Sequence, residues 1–332
     1  MSTVPEDDGD FDAFYAANIL PVLTTLEVDR KRIAGKLTMG FLAVLALCGV
    51  AFVVAMAYTR ETSLSLMIAF AVGFVLLLIM GWISRATTRT YVSTFKHQVI
   101  AAIVRYFDDS LRYSPEGRIS MGDFSASNLF RQGIDRYSGE DYIEGTVGQT
   151  AIRVSEVHAQ YKTTSTDSKG RTQTQWHTIF KGLYFIGDFN KHFSGTTLVL
   201  PDFAERLFGR LGKVFQGMNV GRSGDLLKLE DPEFEKQFVV YGDDQVESRY
   251  ILTPSLMRRI VDFKTQTGHI LHLSFRHNNV YVAISAARDM FEPRIFRTIL
   301  NRELIDGYLA DMTMAVGIVE ELNLNTRIWT KT

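Results

Sequence analysis

Two long apolar runs interrupt an otherwise mixed pattern near the start of the chain. Leu37 to Tyr58 is 22 residues without a charge and Thr62 to Ser84 is 23 more, with only Thr59, Arg60 and Glu61 between them. At 1.5 Å per residue the first run makes a helix about 33 Å long, enough to cross a hydrocarbon core. Core helices of soluble proteins seldom run so far without a charge. A cleaved signal peptide would start nearer Met1 and would not meet a second apolar run at once. The pattern predicts a transmembrane helical hairpin over 37–84, with helices at 37–58 and 62–84. Ala51 and Ala55 in one helix and Ala69 and Gly73 in the other lie at similar distances from the turn. Small residues so placed let helix backbones approach closely in lipid.

Flanking the hairpin, apolar residues recur at helical spacing. Phe11, Phe14, Tyr15, Ile19, Val22, Leu23 and Leu26 share one face, with Pro21 starting a second segment or kinking the first. Val92, Phe95, Val99, Ile103 and Tyr106 repeat the pattern within a helix predicted over Tyr91 to Tyr113, which Ser114-Pro115-Glu116-Gly117 ends. Ile305, Leu309, Met312, Val316 and Val319 form a third stripe. These three helices are expected to bundle beside the membrane.

Between them the pattern turns strand-like. Thr150 to Thr163 and Thr172 to Phe189 are rich in β-branched and aromatic residues and read as a long hairpin across Asp167 to Gly170. Thr196 to Leu200 adds a strand, and Leu271 to Phe275 pairs with Val280 to Ala286. Helices follow Asp202, Asp231, Asp244 and Thr253. Strands and helices do not alternate one for one, so the class is α+β rather than a βαβ series. Four segments result: an acidic tail and amphipathic helix over 1–36, the hairpin over 37–84, a juxtamembrane helix over 85–117, and an α+β domain over 118–332 that ends in a long amphipathic helix.

Charge sets the orientation. Arg30, Lys31, Arg32 and Lys36 precede the first span and Arg85, Arg89 and Lys96 follow the second, whereas the turn offers only Arg60 beside Glu61. The positive-inside rule then places both termini and the main domain in the cytoplasm. The net charge is −1, from 36 basic and 37 acidic residues, and recommends no nucleic-acid partner. One cysteine, Cys48, excludes a disulfide scaffold and a thiolate zinc cluster. Two apolar helices without an ionisable residue enclose an ion path only as a homo-oligomer.

The acids at Asp202 with Glu205 and Asp244 with Glu247 have the offset of helix caps, as does Asp231 before Pro232. His269 and His272 fall three apart in a strand and so on opposite faces. His158 and His177 become near cross-strand neighbours if the hairpin turns at Ser168-Lys169, with Glu156 on the face of His158. No third ligand is evident, so no metal is assigned. Gly209 to Lys213 and Gly221 to Gly224 lack P-loop spacing, and no cofactor motif is present. The richest stretch is FKGLYFIGDFNKHFSGTTLVLPD, Phe180 to Asp202, where Asp188, Asn190, Lys191 and His192 crowd a strand end. They are the candidate ligand-binding residues; no catalytic residue is assigned.

That stretch, with LEDPEFEKQFVVYGDDQVESRYILTPSLMRRI at Leu229 to Ile260, VYVAISAARDMFEP at Val280 to Pro293 and FYAANILPVLTTLEVDRKR at Phe14 to Arg32, resembles the bacterial membrane proteins catalogued as domain of unknown function thirty-one thirty-seven. The resemblance carries no activity and no catalytic residue. It implies LemA-type membrane proteins as partners. With the resemblance, the expectation is a membrane-anchored cytoplasmic binding or scaffold protein at a bacterial inner membrane. The alternative is a membrane-bound enzyme acting on a small or lipid-derived substrate.

Overall fold

The computed structural model describes residues 8–166, 170–189, 194–202, 224–286, 288–322 and 324. The chain forms two compact units. One comprises residues 9–102 and 291–306, and the other comprises residues 103–290 with 307 onward.

The first unit is helical. α1 (Asp8–Phe14) passes through a π turn at Tyr15–Ile19 into α2 (Leu20–Thr59), whose first turn holds Pro21. Proline is tolerated there because the first helical amides have no intrahelical acceptor. α3 (Thr62–Phe95) runs back and leaves through a second π turn at Lys96–Ile100. Both helices outrun the apolar segments that predict them, and both are long and apolar enough to cross a membrane. At the reversal Arg60 adopts φ 54°, and the Thr59 and Ser65 hydroxyls meet at 3.1 Å.

The seam between α2 and α3 is made of small residues. Ala55, Ser65 and Gly73 are buried, with Ala51 and Ala69 half-buried beside them. A Cβ added at Gly73 would lie 2.6 Å from Cys48 Sγ, so the backbones approach as closely as glycine permits. Phe41, Leu45, Val53, Phe70, Phe74 and Leu78 instead point outward and are exposed.

Below the seam, Ile19, Leu23, Phe95, Val99 and Ile100 are fully buried. Residues 291–306 are clamped here by charge. Arg30 forks onto Glu27 with two 2.8 Å hydrogen bonds and donates to the Ile295 carbonyl at 2.6 Å, while Ile299 donates its amide to Glu27 at 3.1 Å. Lys96 meets Glu292 at 2.7 Å, and Arg302 meets Asp12 at 2.6 Å over the rings of Phe11 and Tyr15.

The second unit is built on an antiparallel sheet. Its described strands are β1 (Arg112–Ser114), β2 (Arg136–Val147), β3 (Thr150–Thr166), β4 (Thr172–Asp188), β5 (Thr196–Pro201), β6 (Asp225–Leu227), β7 (Phe238–Gly242), β8 (Ile270–Arg276) and β9 (Asn279–Ser285). Their order is β1-β2-β3-β4-β9-β8-β5-β7-β6. With the helices this is an α+β fold. The helix predicted over Tyr91 to Tyr113 ends earlier, as α4 (Ala101–Phe107). Asp108 accepts the Ser110 amide at 2.8 Å, turning the chain so that Arg112 to Ser114 become an edge strand.

Helix starts follow the caps. Asp231 accepts the Glu233 and Phe234 amides before α6 (Pro232–Glu235), Asp244 accepts those of Val246 and Glu247 before α7 (Gln245–Ile251), and Thr253 accepts that of Leu256 before α8 (Pro254–Thr267). Preceding them in the chain, α5 (Met121–Ala126) carries Phe124, around which Phe130, Phe180 and Tyr184 gather on one sheet face. α9 (Arg302–Glu321) carries the predicted C-terminal stripe; Met312, Val316, Ile318 and Val319 are buried, and Arg259 donates to the Glu320 and Glu321 carbonyls. The Asp202–Glu205 pair and the Gly209 to Gly221 stretch lie wholly or partly outside the described residues.

Candidate functional site

Antiparallel register lines up side chains in rows across the sheet, because every second residue of each strand points to the same face. One such row reads Arg112, Glu144, Arg153, Ile186, each the direct partner of the next. The charges alternate along it. Arg153 is held by Asp123 at 3.0 Å and Glu144 by the Tyr142 hydroxyl at 3.0 Å, whereas Arg112 is exposed and has no hydrogen bond or ion pair among the described residues. Beside the row, Asp188, the last residue of β4, is paired with Asn279, the first of β9. These residues line a groove of about 410 Å³. Guanidinium donors and carboxylate and amide acceptors converge there, a donor set suited to holding a polar ligand by hydrogen bonds.

Of the four residues expected to converge on a ligand, Asp188 lines this groove; Asn190, Lys191 and His192 lie outside the described residues. Nothing local in the sequence brings Arg112, Glu144 and Arg153 to Asp188. Arg112 and Tyr113 of β1 fall at the end of the predicted helix, and β2 is broken by glycines that blur its alternation, so the row has no visible register.

A second constellation lies in β2 and β3. Glu140 and Glu156 are direct partners, and an irregularity after Glu140 inserts Asp141 with φ 59°. Carboxylate oxygens of Glu140, Asp141 and Glu156 lie within 4.8 Å of one another. Asp141 takes the Tyr113 hydroxyl, and Glu156 takes the Met290 amide. Burial, with the Asp141 charge second, pushes the Glu156 carboxyl up to about 8, which the Met290 amide only partly offsets. Lys181 and Asp289 form an ion pair at 2.8 Å. Three acids this close relieve their repulsion by keeping a proton or by sharing a hard cation, since their donors are all oxygen. The sequence offered a single sign of this cluster, Glu156 near His158.

The expected His158–His177 pairing is corrected. A register shift between Ala159 and Gln160 puts His158 opposite Lys181 and His177 opposite Tyr161. The His158 ring sits 3.3 Å from the Thr178 hydroxyl, and His177 stacks on Tyr161 and lies 2.8 Å from the Thr163 hydroxyl. The reason is geometric. One extra residue in a strand moves every later pair, so a turn assumed at Ser168-Lys169 gave the wrong partners.

No curated protein matches the chain. Among solved structures, the mycobacterial trehalose monomycolate transport factor A, TtfA, is similar at 11% sequence identity and a TM-score of 0.29, covering 64% of this chain and 88% of that one. A family model described as "Protein of unknown function (DUF3137)" matches residues 178–324. That interval takes in the second half of β4, with Asp188, together with β9 and α9, so this part of the chain is similar to a family whose function is unknown.

Proposed function

We propose that the protein is a membrane-anchored binding protein whose α2–α3 hairpin crosses the bilayer twice and whose α+β domain stands on the cytoplasmic side of a bacterial inner membrane. One observation carries this reading. Between Met39 and Ile83 the outward faces of both helices expose large apolar side chains in series, among them Met39 at 74%, Met67 at 68% and Phe70 at 77%. A surface of that extent is unfavourable in water and favourable in hydrocarbon. Basic residues beyond both spans, against a turn of Arg60 beside Glu61, support the orientation. A tethered domain needs only modest contacts to hold a partner in the same membrane, and a LemA-type membrane protein is the partner proposed. The test is fractionation with protease mapping. The protein should resist carbonate extraction and be cleaved in inverted vesicles but not in spheroplasts; carbonate release or spheroplast cleavage refutes it.

The groove supports a second reading, a membrane-bound enzyme for a small or lipid-derived substrate, with Asp188 as a substrate-facing acid and with Asn190, Lys191 and His192, next to it in sequence, as the further candidates. Asp188→Ala should then abolish the cellular phenotype while leaving folding and membrane location intact. A wild-type phenotype from that variant refutes the enzyme.

A further inference from the structure

The ends of the two apolar helices hold basic side chains at matched depth. Lys36 in α2 and Arg85 in α3 each stand twenty-four residues from the turn residues Arg60 and Glu61, about 36 Å along the helix. Arg89 stands twenty-eight residues from the turn, about 42 Å along α3, and Arg32 matches it in α2. A hydrocarbon core of about 30 Å measured from the turn ends just short of Lys36 and Arg85. Aromatic residues mark the same two levels. Trp82 is 76% exposed close to Arg85, and Tyr58 is 87% exposed close to the turn, the positions that interfacial aromatic side chains prefer.

Neutralisation separates these cations from their neighbours. Arg30 is turned inward onto Glu27, Lys31 lies 3.9 Å from Glu27, and Arg32 lies 3.3 Å from Asp29. Lys36, Arg85 and Arg89 are exposed and have no ion pair or hydrogen bond among the described residues. The sequence explains why, since no Asp or Glu occurs between Asp29 and Glu61 or between Glu61 and Asp108. Three unneutralised cations therefore stand at one end of two packed helices, and the opposite end offers only Arg60 beside Glu61.

We propose that Lys36, Arg85 and Arg89 form a binding site for the phosphate of an anionic glycerophospholipid in the leaflet at their end of the hairpin. The proposal rests on the hairpin crossing the membrane. Each basic side chain at the surface of an anionic leaflet gains about 1 kcal/mol, roughly a fivefold preference, so three together favour an anionic lipid on the order of a hundredfold over a zwitterionic one. Guanidinium groups add paired hydrogen bonds to phosphate oxygens.

Full-length protein in neutral detergent is titrated with phosphatidylglycerol, phosphatidylcholine or sodium phosphate, and bound lipid and the thermal midpoint are followed. Phosphatidylglycerol should bind and raise the midpoint, with phosphatidylcholine and sodium phosphate having little effect. The triple variant Lys36→Gln, Arg85→Gln, Arg89→Gln should lose most of the response. The charge-conserving triple variant Lys36→Arg, Arg85→Lys, Arg89→Lys should keep it, which separates charge from folding. Equal phosphatidylglycerol binding by the wild type and the glutamine variant overturns the site, and a shift reproduced by sodium phosphate overturns the lipid as its source. A protein that stays dispersed without detergent instead overturns the hairpin reading.

Discussion

The main-chain amide of Met290 donates to the carboxylate of Glu156, a side chain only 8% exposed and flanked by Asp141 and Glu140. Its carboxyl is raised from 4.5 to about 8, so between those values the folded chain holds a proton that the unfolded chain has released. Stability is therefore greatest at the acidic end of that window and falls as pH rises through it. Asp311, raised chiefly by burial, contributes with the same sign. Glu156→Gln keeps the shape without the charge and should flatten most of the slope, gaining about 1.4 kcal/mol for each pH unit of the window. Thermal melts of both proteins at pH 5, 7 and 9 check this. Parallel profiles for wild type and variant would show that Glu156 titrates normally.

Burial acts oppositely on His272, whose imidazole is lowered from 6.5 to about 4. Below pH 6.5 the unfolded chain takes up a proton that the folded chain refuses, so stability is lost as pH falls from 6.5 toward 4. His272 packs 5.5 Å from the Phe130 ring, and His272→Leu keeps an apolar contact there while removing the titration. The variant should lose less stability than wild type between pH 6.5 and 4.5, read as the change in urea midpoint. An unchanged acid limb would assign that loss to other groups.

How much of this was legible depends on how local each signal is. The hairpin, the caps at Asp231, Asp244 and Thr253, and the stripe from Ile305 to Val319 are written within a few residues, and the structure shows them there. The β3–β4 hairpin was legible as strands but not as a register, because the shift between Ala159 and Gln160 leaves no mark in the residue pattern. Arg112 was invisible as a groove residue for a related reason. Its strand exists only through pairing with Tyr142 to Glu144, a contact between distant segments. Asp188 was found because a strand end can be read locally. Its neighbours Arg153 and Asn279 come from other strands and needed the fold.

Glu27 and Arg30 are both buried, and the Arg30 guanidinium holds the Glu27 carboxyl below the usual carboxylate range. Glu27→Ala strands a buried guanidinium and releases the Ile299 amide, a change that typically costs about 3–5 kcal/mol. The double variant Glu27→Leu, Arg30→Leu removes both charges and should recover much of the loss. Hydrogen exchange at the Ile299 amide and thermal melts report the two effects. Equal destabilisation by the single and double variants would mean that packing, rather than the ion pair, holds residues 291–306.

The α2–α3 seam tests whether small residues are there for close approach. A Cβ at position 73 meets Cys48 Sγ at 2.6 Å, so Gly73→Ala should destabilise the hairpin by about 1–3 kcal/mol. Cys48→Ala removes the obstructing sulfur and should restore most of the stability in the double variant, a coupling that a mutant cycle measures. Additive losses would show that the two positions do not touch.

Two glycines in β4 and the turn before it separate backbone strain from lack of space. Gly170 has φ +76° with nothing within 4 Å of an added Cβ, so Gly170→Ala meets only the left-handed penalty, about 1–2 kcal/mol. Gly182 has φ +147°, and an added Cβ there would lie 2.1 Å from the Ile284 carbonyl oxygen and 2.6 Å from the Ala286 nitrogen. Neither neighbour can move aside cheaply. Ile284 is paired with Leu183 and with Leu271 on its other side, and the Ala286 amide is bonded to the Lys181 carbonyl at 3.1 Å. Gly182→Ala must therefore part β4 from β9 in the middle of the sheet, and it should cost more than about 3 kcal/mol, a loss confined to a few severe mechanisms. Denaturant unfolding of the two variants compares them directly. If Gly182→Ala costs no more than Gly170→Ala, the β4–β9 spacing around Gly182 is looser than its register requires.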